Sequence, residues 1–168
     1  MKTLVIHPED STTDFLKVIY QDKDWTVITD NISKSKLKQS IRDHDRIVML
    51  GHGTEYGLIG YKEKSLIDSS WVWLLREKET VCIWCNADVF VEKYGLKGLY
   101  TGMIISEWIE ANLYCVNASN DEIEESNILF AESVRQGIDE KDPDQVIKKL
   151  YEGSSYVIKF NRDNIYKS

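Results

Sequence analysis

Apolar runs and amphipathic segments alternate along the chain, and the pattern predicts an order of elements. "TLVIH" reads as a first strand, and "STTDFLKVIYQ" as a short helix with Phe15, Leu16, Val18 and Ile19 apolar. "WTVITD" reads as a second strand, and "SKSKLKQSIRDHD" as a polar helix with Leu37 and Ile41 four residues apart. "RIVMLG" is apolar throughout, as expected of a third strand covered on both faces in a parallel sheet. "YGLIGYKEKSLI" has the glycines and aromatic edges of a small hairpin, and "SSWVWLLREK" a helix capped by Ser69 or Ser70. "TVCIWCNA" is a fourth strand, "DVFVEKYG" a short helix closed by Gly95, and "LYTGMIIS" a fifth strand.

The last third is mainly helical. "EWIEANLYCVN" is ambiguous: Trp108, Ile109 and Leu113 fit a helical face, and "NLYCVN" also fits a short strand. "SNDEIEESNILFAESVRQG" is the clearest helix, with a capping box at Ser119 and Glu122 and a stop at Gly137. "DPDQVIKKLYEGSSYVIKF" starts with Asp142 as cap and Pro143 at the first helical position. No repeat or linker divides the 168 residues, so we expect one α/β domain over 1–168, a three-layer sandwich with a mainly parallel sheet of five or six strands.

Composition narrows the function. Hydrophobic residues make up 42% of the chain, enough for a real core. The net charge of −7 argues against nucleic-acid binding, because nothing in the totals offsets phosphate repulsion. "MKTLVIHPED" reads as a strand and not a signal peptide, and no apolar run reaches membrane-spanning length. Three cysteines are an odd count and do not suggest a disulfide framework, so the expected compartment is the cytoplasm. Cys82 and Cys85 form a CxxC within a strand-like run with no second pair, which disfavours a zinc site. We expect neither a metal nor an organic cofactor. The turn "HPEDSTTD" lacks GxGxxG and is acidic, which disfavours a nucleotide binder, and no GxSxG marks a serine hydrolase.

Two stretches carry chemistry. "RIVMLGHGTEYG" ends a strand on His52 between Gly51 and Gly53, and "TVCIWCNADV" ends a strand on Cys85. If those strands are neighbours, about 4.8 Å apart, imidazole and thiol emerge side by side at the C-terminal edge of the sheet. A cysteine nucleophile needs a base or cation, and backbone donors for the developing oxyanion. His52 supplies the first, and the amides of Gly53 and Cys85 the second. Cys82 and Cys115 read as small buried hydrophobes. His44 reads as solvated and paired with Asp43 or Asp45. Trp71, Trp73, Trp84 and Trp108 read as core. His7 ends the first strand and is either a bonded strand-end histidine or a pocket residue.

Strand, His-Gly, short excursion, strand, Cys: in "IVMLGHG" and "VCIWC" this pattern resembles the caspase-like cysteine peptidases, the group of caspases, gingipains, legumains, clostripains, separases and CHAT domains. The likeness covers roughly residues 1–105. It implies strand order 2-1-3-4-5-6, a Cys85/His52 dyad, oxyanion donors at Gly53 and Cys85, and hydrolysis of a polypeptide substrate. Asp88, Glu107 and Glu55 are the acids that such a pocket would use to select Arg or Lys. A regulatory protein or a homodimer would be a partner consistent with the group. The residues around the thiol, "CNAD" in place of caspase "QACRG" and a bulky Trp84 before it, depart from the pattern. The competing expectation is an inactive caspase-like binding or sensor module.

Overall fold

The structure is a computed structural model describing residues 1–168. Six strands build the main sheet: β1 (Thr3–Ile6), β2 (Thr26–Ile28), β3 (Arg46–Leu50), β7 (Glu79–Ile83), β8 (Lys97–Thr101) and β9 (Ile165–Lys167). Three short strands, β4 (Gly53–Thr54), β5 (Gly57–Ile59) and β6 (Ser65–Ile67), form a separate antiparallel sheet. Counted along the whole chain, the main order is β2-β1-β3-β7-β8-β9, not 2-1-3-4-5-6, because the small sheet intervenes between β3 and β7. The first five strands run parallel, and β9 pairs antiparallel with β8. No helix is long and apolar enough to cross a membrane.

Strand sequence decides the layering. All of β1 and β3 is buried, and successive side chains face opposite layers. Leu4, Ile6, Ile47, Met49, Cys82 and Tyr100 join one core with Leu37 and Ile41 of α1 (Lys34–Arg42), with α2 (Val72–Leu75), and with Phe90 of α3 (Ala87–Tyr94). Val5, Val48, Leu50, Val81 and Leu99 face the opposite core. There they meet Leu16 and Ile19 of a 3-10 helix (Ser11–Ile19) and Phe130 and Val134 of α5 (Asn120–Gly137). The α/β sandwich with helices on both faces is therefore present.

Local chemistry sets the element ends. Ser119 and Glu122 make the expected capping box on α5, and Pro143 opens α6 (Pro143–Leu150). The ambiguous segment is helical, α4 (Trp108–Leu113). The helix at residue 69 is capped by Asp68, whose carboxylate accepts from the Ser70 amide, and not by Ser69 or Ser70. The chain then adds α7 (Tyr156–Asp163), capped by Ser155, and β9, neither of which the hydrophobic pattern separated.

Candidate functional site

Strands β3 and β7 are hydrogen-bonded neighbours in register Met49↔Cys82 and Leu50↔Ile83. His52 and Cys85 each lie two residues beyond a registered pair, so both leave the sheet at its C-terminal edge. Both line one narrow cleft with Thr13, Phe15, Ile104 and Ser106. The cleft holds only about 30 Å³, space for one or two waters.

Glycine shapes the histidine side. Gly51 has φ +141°, a conformation L side chains rarely adopt, and it turns the chain out of β3. Gly53 is needed for close approach: a Cβ there would lie 2.2 Å from Trp84 Cδ1. The indole Nε1–H of Trp84 donates to the Thr54 carbonyl at 3.0 Å, so one side chain ties the His-Gly loop to the end of β7.

The Ile59 amide donates to the His52 carbonyl at 2.9 Å, which makes Gly53 and Leu58 a non-hydrogen-bonded pair and leaves the Gly53 amide off that ladder. The Cys85 amide donates to no acceptor in the chain. Both expected oxyanion donors are thus uncommitted.

His52 is held from the start of the 3-10 helix after β1, where Asp10 is the cap and Thr12 lies in the first turn. Its Nε2 lies 2.6 Å from the Thr12 hydroxyl, which lies 2.7 Å from Asp10 Oδ1, while Asp10 Oδ2 is 3.9 Å from Nε2. A hydroxyl has one proton. Thr12 gives it to Asp10, so it accepts from His52, and the imidazole proton sits on Nε2. Nδ1 makes no hydrogen bond within the chain. Asp10 is held below its ordinary range first by the Thr12 hydroxyl, then by the Thr12 amide, so this carboxylate is ionised at neutral pH. Sequence reading missed both residues; the signal was present in "HPEDSTTD", a turn rich in hydroxyls and carboxylates that follows the strand beside β3.

Cys85 rests as a thiol. Its Sγ–H donates to the Ile104 carbonyl at 3.5 Å, and no hydrogen bond joins it to His52. Burial pushes the thiol up to about 11, with the Glu110 carboxylate adding to the shift and Glu107 contributing last. Glu107 caps α4, while Glu110 Oε2 accepts from the Ser106 and Glu107 amides at 2.7 and 3.0 Å.

The remaining expected residues lie elsewhere. Asp88 is in the first turn of α3, beside Gly102, with a buried Oδ1 that has no hydrogen-bond partner. Neither it, nor Glu107, nor Glu55, exposed in the β4–β5 turn, lines the cleft.

His7 is buried and bonded on both nitrogens, to the Tyr20 hydroxyl at 2.9 Å and the Thr13 hydroxyl at 3.1 Å, and so is not a pocket residue. His44 binds the Ser40 carbonyl and Thr26 in place of Asp43 or Asp45, because it ends α1 where carbonyls lack partners. Cys82 is core, but Cys115 is exposed at φ +53° just past α4. Trp71 and Trp84 are core, whereas Trp73 and Trp108 are more than half exposed.

The environment of His7 has a consequence for stability. Burial lowers it from 6.5 to about 4 in the folded chain. Between those values the unfolded chain binds a proton that the folded chain refuses. Stability is therefore expected to fall as pH drops through this window, by up to about 1.4 kcal/mol per pH unit. Urea unfolding at several pH values checks it: His7→Gln should remove that part of the slope, and equal slopes in both proteins would contradict it.

No model of a known protein family matches this chain, and no curated protein matches it.

Proposed function

We propose that this protein is a cysteine endopeptidase of the caspase-like kind, with Cys85 as nucleophile and His52 as acid–base. The observation that carries the reading is the pairing of β3 with β7. It brings a histidine with a free Nδ1 and a thiol with an uncommitted amide to one cleft, and the Gly53 amide follows the histidine in the chain. Cys85 Sγ attacks the peptide carbonyl carbon as its proton passes to His52 Nδ1. The Gly53 and Cys85 amides stabilise the oxyanion. The C–N bond then breaks, His52 protonates the leaving amine, and water hydrolyses the thioester.

The resting thiol points at Ile104 and must rotate toward His52. Substrate entry is the step that aligns the pair. Glu110 and Glu107, whose charges reach Cys85, are the acids that would favour a basic side chain before the scissile bond. A domain of this kind acts on polypeptides without a cofactor, and its compartment is the cytoplasm.

A second reading is favoured by the size of the cleft: a caspase-like module whose site is closed and which works by binding a regulatory partner or a second copy of itself. Digestion of a diverse peptide library, read by mass spectrometry, separates the two. The peptidase reading expects cleavage after one residue type, absent in Cys85→Ala and in His52→Ala. Cleavage that persists in Cys85→Ala, or silence of the wild type under all conditions, would remove it.

A further inference from the structure

Acidic residues outnumber basic ones by 28 to 21, yet one face of the molecule concentrates cations without acidic partners. Helix α1 carries Lys34, Lys38 and Arg42 at i, i+4 and i+8, a single stripe. Like charges at this spacing repel and weaken a helix. None of the three takes part in any of the chain's ion pairs. Asp68 feels Lys34, but its carboxylate is spent on Ser65 and Ser70.

The stripe continues onto the small sheet. Lys62 and Lys64 flank Glu63 in a turn where Lys62 and Glu63 both hold positive φ, 54° and 57°, a conformation uncommon outside glycine. That turn closes a hollow of about 290 Å³ that Lys34 shares, and Lys34 with Lys38 borders a second of about 380 Å³. Exposed aromatics stand beside the cations. Lys38 Nζ and the Arg42 guanidinium lie 4.9 and 5.7 Å from the Trp73 ring, which is 55% exposed, and Lys62 lies 5.4 Å from the Tyr61 ring, 63% exposed.

We propose that this face docks an acidic, extended segment of a polypeptide. Helical rise spaces the three cations of α1 by about 6 Å. Alternate residues of an extended chain recur every 6.6–6.8 Å or so, so Asp or Glu at alternate positions meets successive cations. The intervening side chains lie on the rings of Trp73 and Tyr61. A polyphosphate fits less well: its charge at every unit meets the field of a chain with net charge −7, whereas a short segment carries fewer charges and more apolar surface. The N-terminus of α1 follows β2, so Lys34 lies toward the C-terminal edge of the sheet, while α1 packs on the face opposite the helices that line the cleft.

The test uses the full chain carrying Cys85→Ala, so that its result does not depend on catalysis. Fluorescence anisotropy is read with a labelled peptide of alternating Glu and Thr, a Lys/Thr peptide of equal length, and a single-stranded oligonucleotide. The acidic peptide is expected to bind, less tightly as salt rises. Lys34→Ala/Lys38→Ala/Arg42→Ala, all on the helix surface, should weaken it by about tenfold or more, and Trp73→Ala severalfold, with circular dichroism unchanged. Equal binding of acidic and basic peptides, or no loss in the triple variant, would overturn the proposal. Tighter binding of the oligonucleotide would assign the face to nucleic acid and overturn it equally.

Discussion

Trp84→Ala is expected to lower the unfolding free energy by about 3–5 kcal/mol, the range for removing a fully buried large aromatic. The indole is 2% exposed and packs edge-on against Phe90 with ring centroids 5.8 Å apart. Its Nε1–H is spent on the Thr54 carbonyl, and its edge fills the space that a Gly53 side chain would need. Truncation leaves a cavity beneath the loop that carries His52 and an unpaired carbonyl above it. Trp84→Phe keeps most of the volume and loses the hydrogen bond, so it should cost only about 1–2 kcal/mol. Denaturant titration of the three proteins measures both values. A loss under 1 kcal/mol for the alanine variant would show that the residue is not the clamp between the two halves of the site. The bulk before the thiol thus has a structural account: it is matched to a glycine just past the end of the neighbouring strand.

The sequence made the sheet legible because its central strands are buried on both faces, and a run such as "RIVML" has few other fates. It made the His52–Cys85 proximity legible for the same reason, since strands in a parallel sheet end on one edge. Residues whose role depends on distant packing were not legible. β9 is three residues long and buries only Ile165, so no period marks it. Cys115 looked like a core residue within "NLYCVN", yet the turn after α4 leaves it outside. Trp73 and Trp108 carry the same apolar signal as Trp71 and Trp84, and only the crossing of helices decides which face water. Asp10 and Thr12 sit 40 or more positions from His52, and no spacing rule links a helix start after one strand to a histidine after another.

That helix start gives the second large expectation. Thr12→Val keeps the shape of the side chain and removes its hydroxyl. His52 then loses the acceptor that keeps its proton on Nε2, and the bridge to the Asp10 carboxylate is cut. On the peptidase reading, kcat/KM should fall by roughly two to three orders of magnitude, about 3–4 kcal/mol of transition-state stabilisation. Thr12→Ser restores the hydroxyl and should restore most of the activity. The sign of the pH effect follows from Asp10. The Thr12 hydroxyl is the largest cause of its lowered value, and the Thr12 amide, the second, survives the substitution. In Thr12→Val the carboxyl rises toward its ordinary range, so activity that needs the ionised carboxylate is lost at a higher pH on acidification than in the wild type. Carboxyl titration by NMR reads the same rise without a substrate. A Thr12→Val enzyme with unchanged kcat/KM and an unmoved Asp10 would reduce the contact to loop packing. An Asp10 that rises while activity holds would keep the hydrogen bond and deny it any part in orienting His52.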